Sequence, residues 1–178
     1  YEQSMAVYPV GGQTALDYGL PATTVGIAVS TKAIDQVIDL PVRDLTITVE
    51  AGIPMQRLAN LLEAEGLMLP LDVPQAEQAT LGGVIATNTN GPRRFGLGTV
   101  RDYVIGIEAV DGKGQLFHGG GRVVKNVAGY DFCKLLTGSL GTLGVITAAT
   151  VKVKPISEQT TTVVAIVPNG HSGEAAVA

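Results

Sequence analysis

Three glycine-dense turns are where backbone chemistry concentrates in this sequence. The first, Pro9-Val10-Gly11-Gly12-Gln13-Thr14, follows a short apolar run. Its successive N–H groups can converge on an anion, and glycine lets an oxygen ligand come close; the plain alternative is a tight turn. The second, Thr80-Leu81-Gly82-Gly83-Val84-Ile85-Ala86-Thr87-Asn88, reads as a helix with Thr80 as N-cap and two glycines directly behind it. Glycine costs about 1 kcal/mol over alanine inside a helix, so the pair points to a ligand or to another backbone packed there. On the ligand reading, the helix start presents free N–H groups and the positive end of its dipole. The third, Asn90-Gly91-Pro92-Arg93-Arg94-Phe95-Gly96, carries paired arginines that suit a carboxylate or an anionic ligand, or stand as surface charges.

Other chemistries find no support. No Gly-x-x-x-x-Gly-Lys-Ser/Thr occurs, and no Gly-x-Gly-x-x-Gly follows a strand, so the P-loop and Rossmann readings fail. Gly138, Gly141 and Gly144 share a three-residue spacing, but they follow a helical stretch and precede a strand. His118 sits at a hairpin end and His171 in the tail; neither stands beside a nucleophile, and without clustered carboxylates they argue against a metal site. Lys125 and Asp131 flank Gly129-Tyr130 and read as a structural ion pair. The single cysteine, Cys133, excludes an internal disulfide and a cysteine zinc site; it reads as a buried thiol suited to the reducing cytoplasm.

The elements that must hold these turns alternate between strands and short helices. Met5–Val10, Val25–Ser30 and Leu45–Glu50 read as strands, the last alternating Leu45, Ile47 and Val49 against Thr46, Thr48 and Glu50. Pro54 through Glu65 reads as a helix, with Pro54 at its first position, Leu58, Leu61 and Leu62 on one face, and Gly66 as its stop. Leu67–Val73 is extended, and Asn88 to Arg101 is a polar loop. Tyr103–Val110 and Gln115–His118 flank Asp111-Gly112-Lys113-Gly114 as a hairpin. Asp131–Thr137 reads as a helix, Gly144–Val153 as a strand ended by Pro155, and Thr160–Val167 as one more strand. Strands dominate, which gives an α+β class; long βαβ crossovers are scarce, which disfavours a parallel doubly wound sheet.

Composition narrows the function classes. Glycine accounts for 23 of 178 residues without a collagen period, hydrophobic residues for 46% and charged ones for 16%, at a mean hydropathy of +0.30. Such a chain builds a core and is too apolar for disorder. A net charge of -4, few aromatics and no lysine or arginine run argue against nucleic acid. Residues 1–90 hold ten acids and three bases, whereas residues 91–178 hold six acids and nine bases; this reads as chance distribution over solvated faces, or else as a second half that faces an anion or an acidic partner. No apolar stretch is long enough to span a bilayer, and the opening at Tyr1 reads as that of an excised fragment.

Taken in order, Pro9–Thr14, Val49-Glu50-Ala51-Gly52, Leu81–Asn88, Arg101–Gly106, Gly129-Tyr130-Asp131 and Gly141–Thr147 resemble the FAD-binding domain of the vanillyl-alcohol oxidase/p-cresol methylhydroxylase (PCMH-type) family. Within it, Gly91-Pro92-Arg93-Arg94 and Val124–Asp131 are similar to the second flavin-type subunit of bacterial glycolate oxidases. The resemblance implies a fold of two α/β subdomains across residues 1–155, truncated at its N-terminus. Residues 156–178 would be a linker or the start of a substrate cap that the chain lacks. It implies noncovalent FAD, because no histidine occupies the first turn. Gly11, Gly12, Gln13 and Thr14 would cradle the pyrophosphate, with Thr80, Leu81, Gly82 and Gly83 facing it. Pro74, Thr87, Asn88 and Gly91 would line the ribityl and ring region, Arg93 would lie nearby, and Val145 would offer its backbone to the flavin.

The implied activity is that of an FAD-dependent oxidoreductase taking hydride from a 2-hydroxy acid such as glycolate. The partners would be the catalytic flavin subunit and the iron–sulfur subunit of the glycolate oxidase complex, in the cytoplasm or peripherally at the inner membrane. No residue reads as the catalytic base, and the fragment alone is expected to be inactive. The alternatives are a structural subunit with a vestigial flavin fold, and the FAD domain of a D-lactate or sugar oxidase. On the ligand reading of the second turn, Gly82→Val removes flavin binding while leaving the fold intact, and Gly12→Val does the same for the first turn.

Overall fold

The computed structural model describes residues 5–121, 130–162 and 164. Their centre is a five-stranded antiparallel sheet in the order β3-β4-β8-β6-β7. It comprises β3 (Val37–Asp39), β4 (Thr46–Glu50), β6 (Val104–Val110), β7 (Leu116–Gly120) and β8 (Val145–Lys152). Alternation decides which side of β4 is buried: Ile47 and Val49 are fully enclosed, as are Ala149 and Val151 of β8 opposite them. On the other face Thr48 and Thr150 share a hydroxyl hydrogen bond of 2.9 Å.

The core face is covered by helices. α1 (Met55–Ala64) buries Met55, Leu58 and Leu62, a spacing that gives one apolar stripe; each such burial contributes about 1.5–3 kcal/mol. Pro54 is its N-cap rather than its first helical residue, and Gly66 ends it at φ 68°. Beside it lies α2 (Leu81–Thr87), with Leu81 and Ile85 fully buried. α5 (Phe132–Leu136) packs on β6 and β7, its Phe132 ring 5.3 Å from that of Phe117. Asp131 caps α5 by accepting from the Lys134 N–H at 3.0 Å and pairs with the Lys134 ammonium at 2.7 Å, so its charge partner is i+3 on the same helix. Lys125, the partner expected from sequence, lies outside the described residues, as does His171.

A second unit stands apart from this sheet. β1 (Ala6–Val10) and β2 (Gly26–Ser30) pair in parallel across residues 11–25, a connection without a helix. It docks where both units have least bulk: a Cβ on Gly52 would lie 1.9 Å from the Thr31 carbonyl oxygen. The α+β class holds, with one of the pairings parallel.

Several local expectations give way. Within the stretch Leu67–Val73, expected to be extended, β5 (Leu67–Met68) is a strand paired with β9 (Lys154–Pro155). The loop from Asn88 to Arg101 contains α3 (Arg94–Leu97) and the start of α4 (Val100–Tyr103). α4 starts at a capping box: Asp102 accepts from the Thr99 N–H at 2.8 Å and from its hydroxyl at 2.7 Å. Residues 160–162 are not strand, and most of the remainder of Thr160–Val167 lies outside the described residues.

Cys133 is buried, and loss of hydration raises its thiol pKa to about 11. The protonated thiol is thus favoured in the native state. Its contribution to stability is intact below the ordinary thiol value of 9.0 and falls away as pH rises toward about 11. Iodoacetamide at pH 8 is expected to leave Cys133 unmodified in the folded chain and to alkylate it completely in denaturant. Mass spectrometry checks this, and rapid native alkylation would contradict the burial.

Candidate functional site

Between the β1–β2 unit and the helical face of the sheet runs a groove of about 750 Å³, within the usual range of small-molecule clefts. Three stretches far apart in sequence, Tyr8 to Ala22, Val73 to Thr89, and Leu140 to Ile146, form its walls together with Thr31. Gly11, Gly12, Gln13 and Thr14 line one side; Pro74, Thr80, Gly82, Gly83 and Thr87 line the other. Leu81, Asn88, Gly91, Arg93 and Val145 do not reach it, although Gly144 and Ile146, on either side of Val145, do. Leu81 is fully buried, and Asn88 closes α2 in a left-handed conformation.

The two glycine turns differ in what their N–H groups do. Among the described residues, those of Gly12, Gln13 and Thr14 have no hydrogen-bond partner within the protein. Gln13 is left-handed at φ 63°, a turn conformation of the kind that gathers successive N–H groups toward an anion. The start of α2 is already satisfied. Leu81 N–H donates to Ile53 at 3.0 Å, Gly82 N–H to Ala51 at 2.8 Å, and Gly83 N–H to the Thr80 hydroxyl at 3.3 Å. The expectation of free N–H groups at this helix start is therefore overturned: the turn after β4 takes up those of Leu81 and Gly82, and the Thr80 hydroxyl that of Gly83.

Neither Gly82 nor Gly12 is bare simply to make room for a ligand. A Cβ on Gly82 would lie 2.8 Å from the Ala51 Cβ and 3.0 Å from its carbonyl oxygen. On Gly12 it would lie 1.9 Å from the Gln78 carbonyl oxygen. Valine at either position would prise apart backbone contacts, so the expectation of a lost ligand with an intact fold does not survive. Gly83 is different, since its added Cβ meets only the Thr80 hydroxyl, at 3.2 Å.

Hydroxyls complete the groove. Thr87 donates to the Gly83 carbonyl at 2.9 Å and lies 2.6 Å, oxygen to oxygen, from Thr89. Arg93 does not face an open anion site: its Nε donates to Asp72 Oδ1 at 2.7 Å, a terminal nitrogen reaches the same oxygen, and its main-chain N–H donates to Oδ2 at 3.1 Å. These bonds hold the Asp72 carboxyl below its ordinary pKa of 3.8, so the pair is intact at neutral pH and is lost as the pH falls below that ordinary value. Of the two histidines, His118 lies 3.4 Å from Glu108 on the far strands. Among the described residues no group of histidine, cysteine and carboxylate side chains is arranged for a metal.

The sequence matches the FAD binding domain family over residues 1–120. The chain belongs to that family. It is 37% identical over 150 residues to D-2-hydroxyglutarate dehydrogenase of Xanthomonas citri pv. viticola, covering 84% of this chain and 32% of that one. It is 45% identical over 113 residues to glycolate oxidase subunit GlcE of Escherichia coli K12, covering 63% and 32%. A solved structure of alkyldihydroxyacetonephosphate synthase superposes with a TM-score of 0.70 at 25% identity, over 86% of this chain and 28% of that one. The chain thus spans about a third of the length of the curated relatives it matches.

The FAD domain's groove also contains residues that sequence reasoning missed. Tyr8, Leu16, Tyr18 and Leu20 line it, and so does Thr89. Leu16, Tyr18 and Leu20 left a signal, being bulky side chains at every second position of a turn-rich stretch. For the two adjacent glycines of α2, the geometry predicts opposite effects. Gly82→Ala is expected to destabilise the fold by about 1–3 kcal/mol through overpacking, and Gly83→Ala to be neutral or to stabilise it by up to about 1 kcal/mol. Thermal denaturation of both variants checks this; equal losses would refute the distinction.

Proposed function

We propose that the groove holds FAD noncovalently in a flavoprotein that oxidises a 2-hydroxy acid, with the pyrophosphate against Gly11–Thr14. The observation that carries this reading is the set of unpaired N–H groups at Gly12, Gln13 and Thr14, at the edge of a cleft of cofactor size. Backbone donors with nothing to bond suit a dianion, and no side chain there competes for it. Thr80, Gly82 and Gly83 form the opposite wall by shape rather than by donating N–H groups. The Thr87 and Thr89 hydroxyls suit a polyol chain such as a ribityl, with Pro74 beside them.

A bound flavin supplies two-electron, hydride-accepting chemistry. This chain's residues bind it, orient it and exclude water along one side. Glycolate is the substrate that similarity to GlcE favours. D-2-hydroxyglutarate belongs to the same class, since both compounds carry a hydroxyl beside a carboxylate. The parent assembly on this reading includes the further flavin and iron–sulfur subunits of a glycolate oxidase. The lone buried thiol suits a reducing cytoplasm, and among the described residues no helix is long and apolar enough to cross a membrane.

The test is the visible spectrum of the purified chain after incubation with FAD and gel filtration. Flavin bands that co-elute and are released on denaturation are expected; a folded, colourless chain would overturn the reading. Gly83→Ala adds one methyl to the wall and is expected to raise the FAD dissociation constant by about tenfold, the cost of roughly 1.4 kcal/mol of crowding, while the melting temperature of the ligand-free chain does not fall. Fluorescence titration measures it, and wild-type affinity would remove Gly83 from the cofactor wall.

A further inference from the structure

A groove with three separate walls binds tightly only if their spacing is held, and one ion pair stands directly behind two of them. Asp72 immediately precedes Val73 and Pro74, which line the groove. Arg93 lies in the loop that leaves α2 just after Thr87 and Thr89, which also line it. Neither Asp72 nor Arg93 is part of the lining.

The join between them is unusually complete for a surface pair. Both carboxylate oxygens of Asp72 are engaged, Oδ1 by the guanidinium and Oδ2 by the Arg93 main-chain N–H. One carboxylate therefore holds the side chain and the backbone of the same residue. The loop also lies flat on Asp72, for a Cβ on Gly91 would fall 2.0 Å from the Asp72 Cβ. The loop's remaining freedom is taken up by Asn90, which accepts from the Val100 N–H at 2.8 Å and donates to the Asn88 carbonyl at 2.6 Å. Asp72 thus ties the approach to Pro74 to the exit from α2.

Resting on the flavin reading above, we propose that Asp72 and Arg93 form a positioning pair that sets the separation of Pro74 from Thr87 and Thr89, and so the affinity for flavin. Arg93 acts through Asp72, not as an anion ligand. With 60% of the Arg93 side chain and 24% of the Asp72 side chain exposed, the pair adds little to global stability. A lysine cannot reproduce the two-pronged geometry.

The experiment is a double-mutant cycle on the full chain, with FAD affinity from flavin fluorescence and thermal melts read in parallel. Asp72→Asn and Arg93→Gln are each expected to raise the dissociation constant at least about fivefold, and the double variant is expected to be no weaker than either single one, the signature of coupled neighbours. Melting temperatures should move by only a few degrees, as for an exposed pair. Arg93→Lys keeps the charge, removes the fork and is decisive if Asp72→Asn fails to fold. It is expected to weaken binding, and wild-type affinity there overturns the proposal. The proposal also falls if Arg93→Gln weakens binding while Asp72→Asn does not, which would mean direct contact with the flavin, or if the two losses add. Failure of the wild-type chain to bind FAD would remove the flavin reading and this inference with it. Binding by the wild type with no change in the variants would remove the inference alone.

Discussion

The contact of Gly82 with Ala51 is what the surroundings of the groove depend on. At that point a helix begins against the turn leaving a strand with only the Ala51 methyl between them, and the N–H groups of Leu81 and Gly82 close onto Ile53 and Ala51. A helix start normally carries several unsatisfied donors. Here the main chain of another element satisfies two of them, which fixes α2 in position and direction without a long side chain. Thr80 is carried along with it, and Gly11 then packs so closely over Thr80 that a Cβ there would lie 2.2 Å from its hydroxyl. One backbone contact thereby places the α2 wall, and through Thr80 the turn after β1.

This arrangement reverses the roles that helix electrostatics alone would assign. The first turn of α2 is donor-poor toward the groove because its hydrogen bonds point back into the protein. The turn after β1 is donor-rich because it belongs to neither sheet ladder nor helix. Small residues at both places therefore do two jobs: at Gly12 and Gly82 they admit another backbone, and at Gly83 they leave the groove wall bare. The paired arginines follow a similar logic. Arg93 finds its anion inside the protein, in Asp72.

Much of this architecture was legible in the sequence, for local reasons. β4, α1, α2, the β6–β7 hairpin, α5 and β8 were readable from alternation, helical spacing, the Thr80 cap and the Asp111-Gly112 turn. These are signals in which neighbours along the chain decide the outcome. The groove residues around Gly11–Thr14 and Thr80–Thr87 were readable as a pair of turns, but not the partner of each glycine, since Ala51 and Gln78 approach from other elements. The start of α4 had a signal that was passed over, Thr99 with Asp102 three residues on, hidden by the glycine-rich segment before it. β3 is only three residues long and carries a register shift against β4, so it left no period to detect. The parallel pairing of β1 with β2 depends on a long-range docking event that no local pattern encodes.

The groove's walls come from stretches separated by some fifty residues each, which makes the cleft a seam in the chain as well as a container. Closing it orders segments that share few neighbours along the sequence, at a loop-closure cost that rises only slowly with their separation. An occupant touching all three stretches works as a removable staple. At a hundredfold excess over its dissociation constant it adds about 2.7 kcal/mol to whatever already holds the seam closed. Cohesion of the β1–β2 unit with the sheet is in this sense shared between protein and ligand, and the domain's resistance to heat and proteolysis becomes a gauge of how fully it is loaded.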